Sequence, residues 1–303
     1  MRIIFLGTPD FSVPSLDAIV KAGHEVVAVV TMPDKPAGRG MQLQQSAVKK
    51  YAVENNIKVL QPVKLKDPEF ITELQSLNAD LQVVIAFRML PQIVWQMPKF
   101  GTLNLHASLL PDYRGAAPIN WAIINGETKT GVSTFFLKHE IDTGDVLLTK
   151  EVAITPTMNA GELHDLLMRV GAETVVKSLA LIENGNTKGT PQGDDNNKMA
   201  PKIFKEHCLI NFNQNGQNIY NLIRGLSPYP AAFTHFDNKI LKVYEASFEV
   251  TNHQEPIGKM MSDNKTFLKL ACQDGYIHLL QIQLEGKKRM KVDEFLRGNK
   301  ISS

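Results

Sequence analysis

Short apolar runs alternate with amphipathic stretches through the first two thirds of the chain. The runs have the length of strands, whereas apolar residues recur at helical spacing in the stretches between them. The predicted strands are Arg2–Leu6, Glu25–Thr31, Lys58–Leu60, Leu81–Ala86, Thr102–Leu105 and Val132–Leu137. The predicted helices are Val13–Ala22, Ser46–Glu54, Pro68–Leu77, Pro118–Asn125 and Ala160–Asn184. Because such alternation places crossover helices between parallel strands, we expect an α/β fold with a doubly wound, mostly parallel sheet.

The pattern changes near Gly185. Residues 184–197 are polar, rich in Gly and Asn, and without periodicity, which predicts a linker or a large surface excursion. One further helix is predicted at Gln217–Gly225, and short strands separated by turn signals follow it. These strands are Ala232–Phe236, Lys239–Glu249, Phe267–Ala271 and Tyr276–Gln283. We therefore expect domains at 1–184 and 206–303, a linker at 185–205, and a small β-barrel in the second domain.

Composition and charge exclude several classes of protein. With 43% hydrophobic and 21% charged residues, the chain is typical of soluble globular proteins. No apolar run approaches the roughly 20 residues that span a bilayer, so we expect no membrane association. Two distant cysteines, Cys208 and Cys272, predict neither a disulfide framework nor a metal-ligand pair. This cysteine usage favours a reducing, cytoplasmic setting.

Basic residues are only slightly in excess. The net charge of +2 does not by itself indicate nucleic-acid binding. The densest basic cluster consists of Lys287, Lys288, Arg289 and Lys291. Taken alone, such a cluster is more typical of a solvated strand end or loop.

The end of the first predicted strand argues against dinucleotide binding. Gly7-Thr8-Pro9 occupies the place where a Rossmann domain has its G-x-G-x-x-G loop, and that pattern is missing. Thr31-Met32-Pro33, rather than an acidic residue, ends the second strand. The predicted sheet is therefore Rossmann-like, but a dehydrogenase is excluded for want of a nucleotide fingerprint.

Candidate chemistry lies at the end of the strand Thr102–Leu105. Asn104 and His106 are two residues apart, so their side chains project from the same face. They lie at the C-terminal edge of the sheet, where open α/β sheets bind ligands. A carboxamide can donate to an oxygen that becomes anionic, and an imidazole can accept or release a proton. These two side chains are suited to acyl transfer, although many Asn-x-His pairs are ordinary turn or surface residues.

The residues around this pair form longer motifs. Residues 104–111 are Asn-Leu-His-Ala-Ser-Leu-Leu-Pro, followed by Tyr113-Arg114-Gly115 and later by Glu140-Ile141-Asp142-Thr143-Gly144. They resemble the motifs of the enzymes that transfer or remove the formyl group of 10-formyltetrahydrofolate. The resemblance implies that Asp142 completes a catalytic trio with Asn104 and His106, which stabilises a tetrahedral intermediate. It also implies 10-formyltetrahydrofolate as the formyl-donor co-substrate, and no metal.

The resemblance also implies where the folate binds. The expected contacts are Ser108, Leu109, Leu110, Pro111, Ala86, Phe87, Arg88 and Leu90, largely through backbone groups. The chain departs from the family's pattern at Phe87-Arg88, where Tyr-Gly is usual, at Ala47, where proline is usual, and at Ala231, where glycine is usual. We therefore expect Arg88 to alter contacts in the folate pocket.

Other segments resemble the branch of the family whose acceptor is initiator methionyl-tRNA. They are the N-terminal run 5–11, the loop 33–43, and the β-rich domain that opens with Arg224-Gly225-Leu226-Ser227-Pro228-Tyr229-Pro230. Glycines flank Arg39 and prolines stiffen the approach, so the loop can present a cation away from the sheet. The resemblance implies an OB-like tRNA-binding C-terminal domain. The expected tRNA contacts are Arg39, Lys35, Lys287, Lys288 and Arg289.

Two other functions stay open at this point. A formyltetrahydrofolate hydrolase, or a transferase acting on another amine, would keep the same trio but would leave the basic loop and the barrel unexplained. A non-enzymatic RNA-binding module would use the loop and the barrel and leave the trio without a purpose. We expect a monomer that binds methionyl-tRNA and a folate.

Overall fold

The computed structural model describes residues 1–37, 42–193 and 198–301. These residues fold into two compact units whose segments interleave along the chain. The first unit consists of Met1–Gly115, Gly131–Val152 and His164–Met199, and the second of Ala116–Thr130, Ala153–Leu163 and Ala200–Ser303. The predicted boundaries at 1–184, 185–205 and 206–303 stay a prediction.

Eleven described strands lie between residues 2 and 200. They are β1 (Arg2–Gly7), β2 (Glu25–Val30), β3 (Lys35–Ala37), β4 (Gln42–Gln44), β5 (Val59–Leu60), β6 (Leu81–Ile85), β7 (Thr102–His106), β8 (Arg114–Gly115), β9 (Lys129–Phe136), β10 (Val146–Ala153) and β11 (Met199–Ala200). Seven of them form one sheet in the order β10-β9-β7-β6-β1-β2-β5. The pairs from β7 through β6, β1 and β2 to β5 are parallel. The predicted Rossmann-like α/β fold is therefore confirmed.

Six described α-helices accompany these strands; five lie close to their predicted positions, whereas the short α4 was not predicted. They are α1 (Val13–Lys21), α2 (Ala47–Glu54), α3 (Pro68–Ser76), α4 (Gln92–Trp95), α5 (Pro118–Ile124) and α6 (Ala160–Glu183). Side-chain caps explain two of the helix starts, because a cap satisfies an N–H that has no partner in the helix. Ser46 accepts from the amide of Lys49 at α2, and Asp67 accepts from the amide of Glu69 at α3.

Two features of the main sheet were not predicted. Strand β9 pairs antiparallel to β7, so the sheet is only mostly parallel. Strand β10 lies at the edge of the sheet and has no fully buried residue, so its sequence lacks the alternation that marks a half-buried strand.

The centre of the first unit is covered on both faces. All five residues of β6 and the last five of β1 are buried, as expected for central parallel strands. Side chains from β1, β2 and β6 pack with Phe70 and Leu74 of α3 and with Leu90, which follows β6. This packing fixes β6, which pairs in parallel with β7, the strand that carries Asn104 and His106.

The second unit contains the antiparallel sheet of the C-terminal part. Its elements are α7 (Gly216–Leu226), β12 (Ala232–Phe236), β13 (Lys239–Val250), β14 (Met260–Ser262), β15 (Leu268–Cys272), β16 (Gly275–Leu284), β17 (Met290–Lys291) and α8 (Val292–Leu296). The strand order is β12-β13-β16-β15-β14, with β17 added to β16. An irregular register between Val243 and Glu245 bends the longest pair, β13 with β16. The sheet curls over α7 and α8, and the predicted OB-like domain is confirmed.

Helix α5 packs with α7 inside the second unit. The carboxamide of Asn120 donates to the carbonyl oxygen of Gly225 at 2.8 Å. A Cβ atom at Gly225 would lie 2.6 Å from Ile124, so the close approach of the two helices requires glycine there. Both cysteines, Cys208 and Cys272, are buried and unbridged, and burial raises the pKa of each thiol. Among the described residues, no helix is both long and apolar enough to cross a membrane.

Candidate active site

Asn104 and His106 both lie on β7, as predicted, and β7 extends through His106. His106 is 8% exposed, whereas Asn104 is half-buried. Within the described ranges, the carboxamide of Asn104 has no hydrogen-bond partner. A half-buried amide donor at the C-terminal edge of a parallel sheet is therefore available to a bound molecule.

The imidazole of His106 is oriented by the backbone of Tyr113. Its Nε2 atom lies 2.8 Å from the carbonyl oxygen of Tyr113. Because a carbonyl oxygen can only accept, Nε2 carries a hydrogen and donates it. In the neutral imidazole the other nitrogen, Nδ1, then has the free lone pair. Tyr113 itself is buried, and its backbone is in the left-handed region at φ 60°.

Asp142 faces this free nitrogen. Its Oδ2 atom lies 3.8 Å from Nδ1 of His106, within ion-pair range but too long for a direct hydrogen bond. The same oxygen accepts from the backbone amide of Gly115 at 3.1 Å. The expected trio is thus brought together, with the carbonyl of Tyr113, rather than Asp142, holding the imidazole.

The turn after β7 is built around Ser108. This residue is fully buried, and its hydroxyl donates to the carbonyl oxygen of Asp112 at 2.6 Å. The hydroxyl of Ser133 donates to the carbonyl oxygen of Ser108 at 2.7 Å and accepts from the amide of Leu110 at 3.0 Å. The Leu110–Pro111 peptide bond is cis. Of the predicted folate contacts in this turn, Ser108 and Leu110 are buried, whereas Leu109 and Pro111 are partly exposed.

The segment after β6 lies beside this turn in the sheet order. Ala86 is exposed and has a left-handed backbone at φ 48°. The guanidinium of Arg88 donates to the carbonyl oxygen of Val63 at 2.9 Å and to that of Pro62. Burial lowers the pKa of Arg88, and its Nε atom is buried without a partner among the described residues. Arg88 therefore ties two loops together, and Leu90 packs in the core.

The predicted tRNA contacts are only partly described. Arg39 lies outside the described residues, and Lys35 is exposed on β3. The preceding residue, Asp34, pairs with Lys49 at 2.5 Å. The hydrogen bond from Lys49, followed by that from Gln61, lowers the pKa of Asp34. These contacts anchor the start of the loop to α2.

The cluster near the end of β16 lies in the second unit. Lys287, Lys288 and Arg289 are exposed, and the guanidinium of Arg289 lies 4.4 Å from the ring centroid of Tyr244. Arg289 also donates to Gln281 at 2.8 Å. Arg289 and Tyr244 line a cavity of about 1020 Å³ whose described lining belongs entirely to this unit.

Three groups at the site were missed from sequence. The carbonyl of Tyr113 and the amide of Gly115 are backbone groups, which residue type does not reveal. Gln192, in the predicted linker, donates to the carbonyl oxygens of Asp142 and Gly144. The only available signal was that Tyr113 and Gly115 belong to the motif that follows residues 104–111. Among the described residues, no group of three His, Cys, Asp or Glu side chains could hold a metal ion.

Two family models match most of the chain. Residues 1–179 match the family model described as formyl transferase, and residues 202–300 match the model of the formyl transferase C-terminal domain. These two matches cover the main sheet, the candidate trio and the OB-like sheet. The class of protein is therefore a formyl transferase.

Similar full-length proteins narrow the class. The methionyl-tRNA formyltransferase of Flavobacterium johnsoniae is 55% identical over 98% of this chain and 96% of its own length. That of Parabacteroides distasonis is 52% identical over 99% of this chain and 96% of its own length. The chain therefore belongs to the methionyl-tRNA formyltransferase family.

Solved structures at lower identity share the fold. An N-formyltransferase from Helicobacter canadensis, in complex with folinic acid and dTDP-3-aminofucose, has a TM-score of 0.70 at 20% identity. The match covers 93% of this chain and 100% of that one. HypX from Aquifex aeolicus has a TM-score of 0.67 at 21% identity, and the match covers 100% of this chain and 49% of that one.

Proposed function

We propose that this chain transfers the formyl group of 10-formyltetrahydrofolate to the amino group of initiator methionyl-tRNA. We also propose that it acts as a monomer in the cytoplasm. The observation that carries the proposal is the arrangement at the end of β7. There the half-buried carboxamide of Asn104, Nδ1 of His106 and the carboxylate of Asp142 belong to one edge of the sheet. This set supplies a hydrogen-bond donor, a base and a fixed negative charge, which are what formyl transfer to an amine requires.

Asn104 is proposed to stabilise the developing negative charge. When the amine attacks the formyl carbon, the formyl oxygen becomes an oxyanion. A preorganised N–H donor at that oxygen stabilises the transition state more than the ground state, because the charge is present only after attack. The half-buried position of Asn104 supports this role, since partial exclusion of water strengthens the hydrogen bond.

His106 is proposed to move the proton. Its Nε2 hydrogen is engaged with Tyr113, so Nδ1 is the nitrogen that accepts the proton from the attacking amine. Asp142, 3.8 Å from Nδ1, stabilises the resulting imidazolium by charge. The imidazolium then gives the proton to the departing folate nitrogen as the carbon–nitrogen bond breaks. Atoms and charge balance without a further reactant.

The folate is proposed to lie against the segments that follow β6 and β7. The edge offers the exposed Ala86 and the partly exposed Leu109 and Pro111. The amide of Asn104, which has no hydrogen-bond partner among the described residues, lies at the same edge and can donate to a polar atom of the folate. Ser108, Leu110 and Leu90 are buried and would shape this surface from below. Arg88 would act there through the loop that it holds.

The acceptor is proposed to contact two basic regions. Lys35 and Arg39 belong to the loop inserted after β2, and Lys287, Lys288 and Arg289 follow β16. Cations neutralise phosphates, and aromatic rings such as Tyr244 stack with unpaired bases. The 4.4 Å approach of Arg289 to Tyr244 beside a large cavity supports a nucleic-acid contact in the second unit.

The decisive experiment gives the protein 10-formyltetrahydrofolate under three conditions. These are with charged initiator tRNA, with charged elongator methionyl-tRNA, and without tRNA. Formylmethionyl-tRNA should form with the initiator, more slowly with the elongator, and formate release should stay at background without tRNA. Rapid formate release without tRNA would instead establish a hydrolase. Formylation of neither tRNA would overturn the proposed acceptor.

A further inference from the structure

The side chain of Gln192 makes four hydrogen bonds close to Asp142. Its amide nitrogen donates to the carbonyl oxygen of Asp142 at 2.8 Å and to that of Gly144 at 2.7 Å. Its amide oxygen accepts from Nε and Nη2 of Arg114, at 3.0 and 2.7 Å. Both hydrogens of the amide and its oxygen are therefore satisfied. Such complete use of one carboxamide fixes its orientation.

The stretch around Gln192 is attached to the first unit on both sides. Thr190 and Val146 exchange backbone hydrogen bonds at 2.8 Å. The carbonyl oxygen of Lys198 accepts from the amide of Tyr113, whose own carbonyl orients His106. Two residues of the predicted linker therefore contact the backbones of Asp142 and Tyr113, the two residues that face the imidazole of His106.

The loop that carries Asp142 needs such support. Asp142 has a left-handed backbone at φ 56°, a region that residues other than glycine adopt rarely. A Cβ at Gly144 would lie 1.7 Å from the carbonyl oxygen of Phe136, so the next turn of the loop is also restricted. Ile141 is 61% exposed, so apolar burial contributes little here. The hydrogen bonds from Gln192 to the backbone carbonyls of Asp142 and Gly144, together with that from the amide of Gly115 to the Asp142 carboxylate, stabilise this conformation.

We propose that Gln192 is a positioning residue that holds the Asp142 carboxylate opposite Nδ1 of His106. The inference rests on the proposed function, because it gives Asp142 a role in the reaction. Gln192 acts through Asp142 and does not itself contact the reacting atoms. A misplacement of about 1 Å in a catalytic group lowers a rate by roughly 10²-fold. Loss of the hydrogen bonds from Gln192 should therefore lower kcat more than it changes the KM of either substrate.

Two substitutions separate the contacts of Gln192. Gln192→Met keeps the length of the side chain and removes every hydrogen bond. Gln192→Glu keeps an oxygen for Arg114 but replaces the two donors by an oxygen that faces two carbonyl oxygens. We expect both variants to lower kcat by about 10- to 100-fold and to leave both KM values within a few-fold. Lys138→Met is the control, because Lys138 pairs with Asp145 at 2.7 Å in the same loop and is exposed.

A double-mutant cycle with Asp142→Asn supplies a readout that a merely structural role would not change. If Gln192 acts through Asp142, Gln192→Met should lower kcat by no more than about twofold in the Asp142→Asn background. Full additivity of the two losses would overturn the proposal, as would normal kcat in Gln192→Glu. If Gln192→Met does not fold, Gln192→Glu decides the question, because it keeps the attachment to Arg114.

The cycle also distinguishes this inference from the proposed function. A normal kcat in Asp142→Asn would overturn the proposed role of the trio itself. A large loss of kcat in Asp142→Asn together with normal kcat in Gln192→Met would overturn only the positioning role of Gln192. Circular dichroism should give each variant the melting temperature of the parent protein within a few degrees, as for Lys138→Met.

Discussion

Nε2 of His106 donates to the backbone carbonyl oxygen of Tyr113 across 2.8 Å, and this contact determines which nitrogen is available for chemistry. The left-handed backbone of Tyr113 brings its carbonyl to the imidazole. The hydrogen bond would be retained in the imidazolium, because Nε2 carries a hydrogen in both forms. Proton transfer can therefore occur at Nδ1 without any rotation of the ring.

Two substitutions of His106 should have different effects on stability. In His106→Gln the amide nitrogen can still donate to Tyr113, whereas Asn is too short to do so. We expect both to lower kcat by about 10²- to 10⁴-fold, because both lack a base. Only His106→Asn should lower the free energy of unfolding, by about 1–3 kcal/mol, because it removes the buried hydrogen bond to the carbonyl of Tyr113. Urea denaturation measures the difference, and equal stability of the two variants would contradict the assigned tautomer.

Asn104→Asp tests the amide donor with little change of shape. The carboxylate cannot donate a hydrogen bond and repels an oxyanion, so we expect kcat to fall by about 10²- to 10³-fold. The KM for tRNA should stay unchanged, because this residue acts on the formyl group. Single-turnover formylation measures the chemical step. The charge-matched control is Asn252→Asp at an exposed position of the second unit, and a similar loss there would refute a specific role.

Arg88→Ala should loosen the segment after β6. The substitution removes two hydrogen bonds from a guanidinium to the carbonyl oxygens of Pro62 and Val63. Because these acceptors are partly exposed, we expect a loss of about 1–2 kcal/mol in the free energy of unfolding. The KM for the folate should rise while that for tRNA stays constant. Met89→Ala, at a neighbouring side chain that is 73% exposed, should change neither quantity.

Arg39→Ala tests the inserted loop through its dependence on salt. Each phosphate contact contributes about 0.7 to 0.9 to the slope of log affinity against log salt. We expect weaker tRNA binding, a slope reduced by that amount, and an unchanged KM for the folate. Lys66→Ala removes one exposed cation elsewhere in the first unit and should leave the slope unchanged. A change confined to folate binding would show that the loop serves the other substrate.

Tyr51 should make stability depend on alkaline pH. Its hydroxyl donates to Asp17 at 3.1 Å, and burial, followed by the effect of Asp17, raises its pKa to about 12. A folded-state pKa above the ordinary 10 means that this stabilisation is complete below pH 10 and is lost as pH rises to 12. Absorbance at 295 nm for the parent protein minus Tyr51→Phe should show a midpoint near 12. A midpoint of about 10 would contradict the buried contact.

The sequence predicted most of the helices and strands. Buried elements were recognised more easily than exposed ones, because burial requires an apolar pattern. Strands β1, β2 and β6 contain nearly continuous apolar runs, as expected of central parallel strands, and are therefore easily recognised. Strand β10 escaped prediction because an exposed edge strand needs no apolar pattern. Strand β9 was predicted at Val132–Leu137, but its antiparallel direction was not, because strand–helix alternation does not specify the direction of the last strands.

At the site, the functional side chains could be predicted from the sequence, whereas the backbone groups that orient them could not. Asn104, His106 and Asp142 could be named because side-chain chemistry is written in residue type. The carbonyl of Tyr113 could not, because every residue has one and only the fold decides which of them meets an imidazole. Gln192 was hidden in a stretch whose polar composition suggested a linker, and its partners are 48 and 50 positions away.

The packing of α5 against α7 has a consequence for synthesis of the chain. Asn120 and Gly225, which join the two helices, are separated by 105 positions. At the usual speed of translation, roughly 5 to 20 seconds pass between the emergence of the two partners. During that interval the nascent chain holds α5 without α7, and Ile124 has no glycine surface to cover it. A fragment that ends in the polar stretch would keep this state permanently, so α5 and α7 should be produced together in any protein that is assayed.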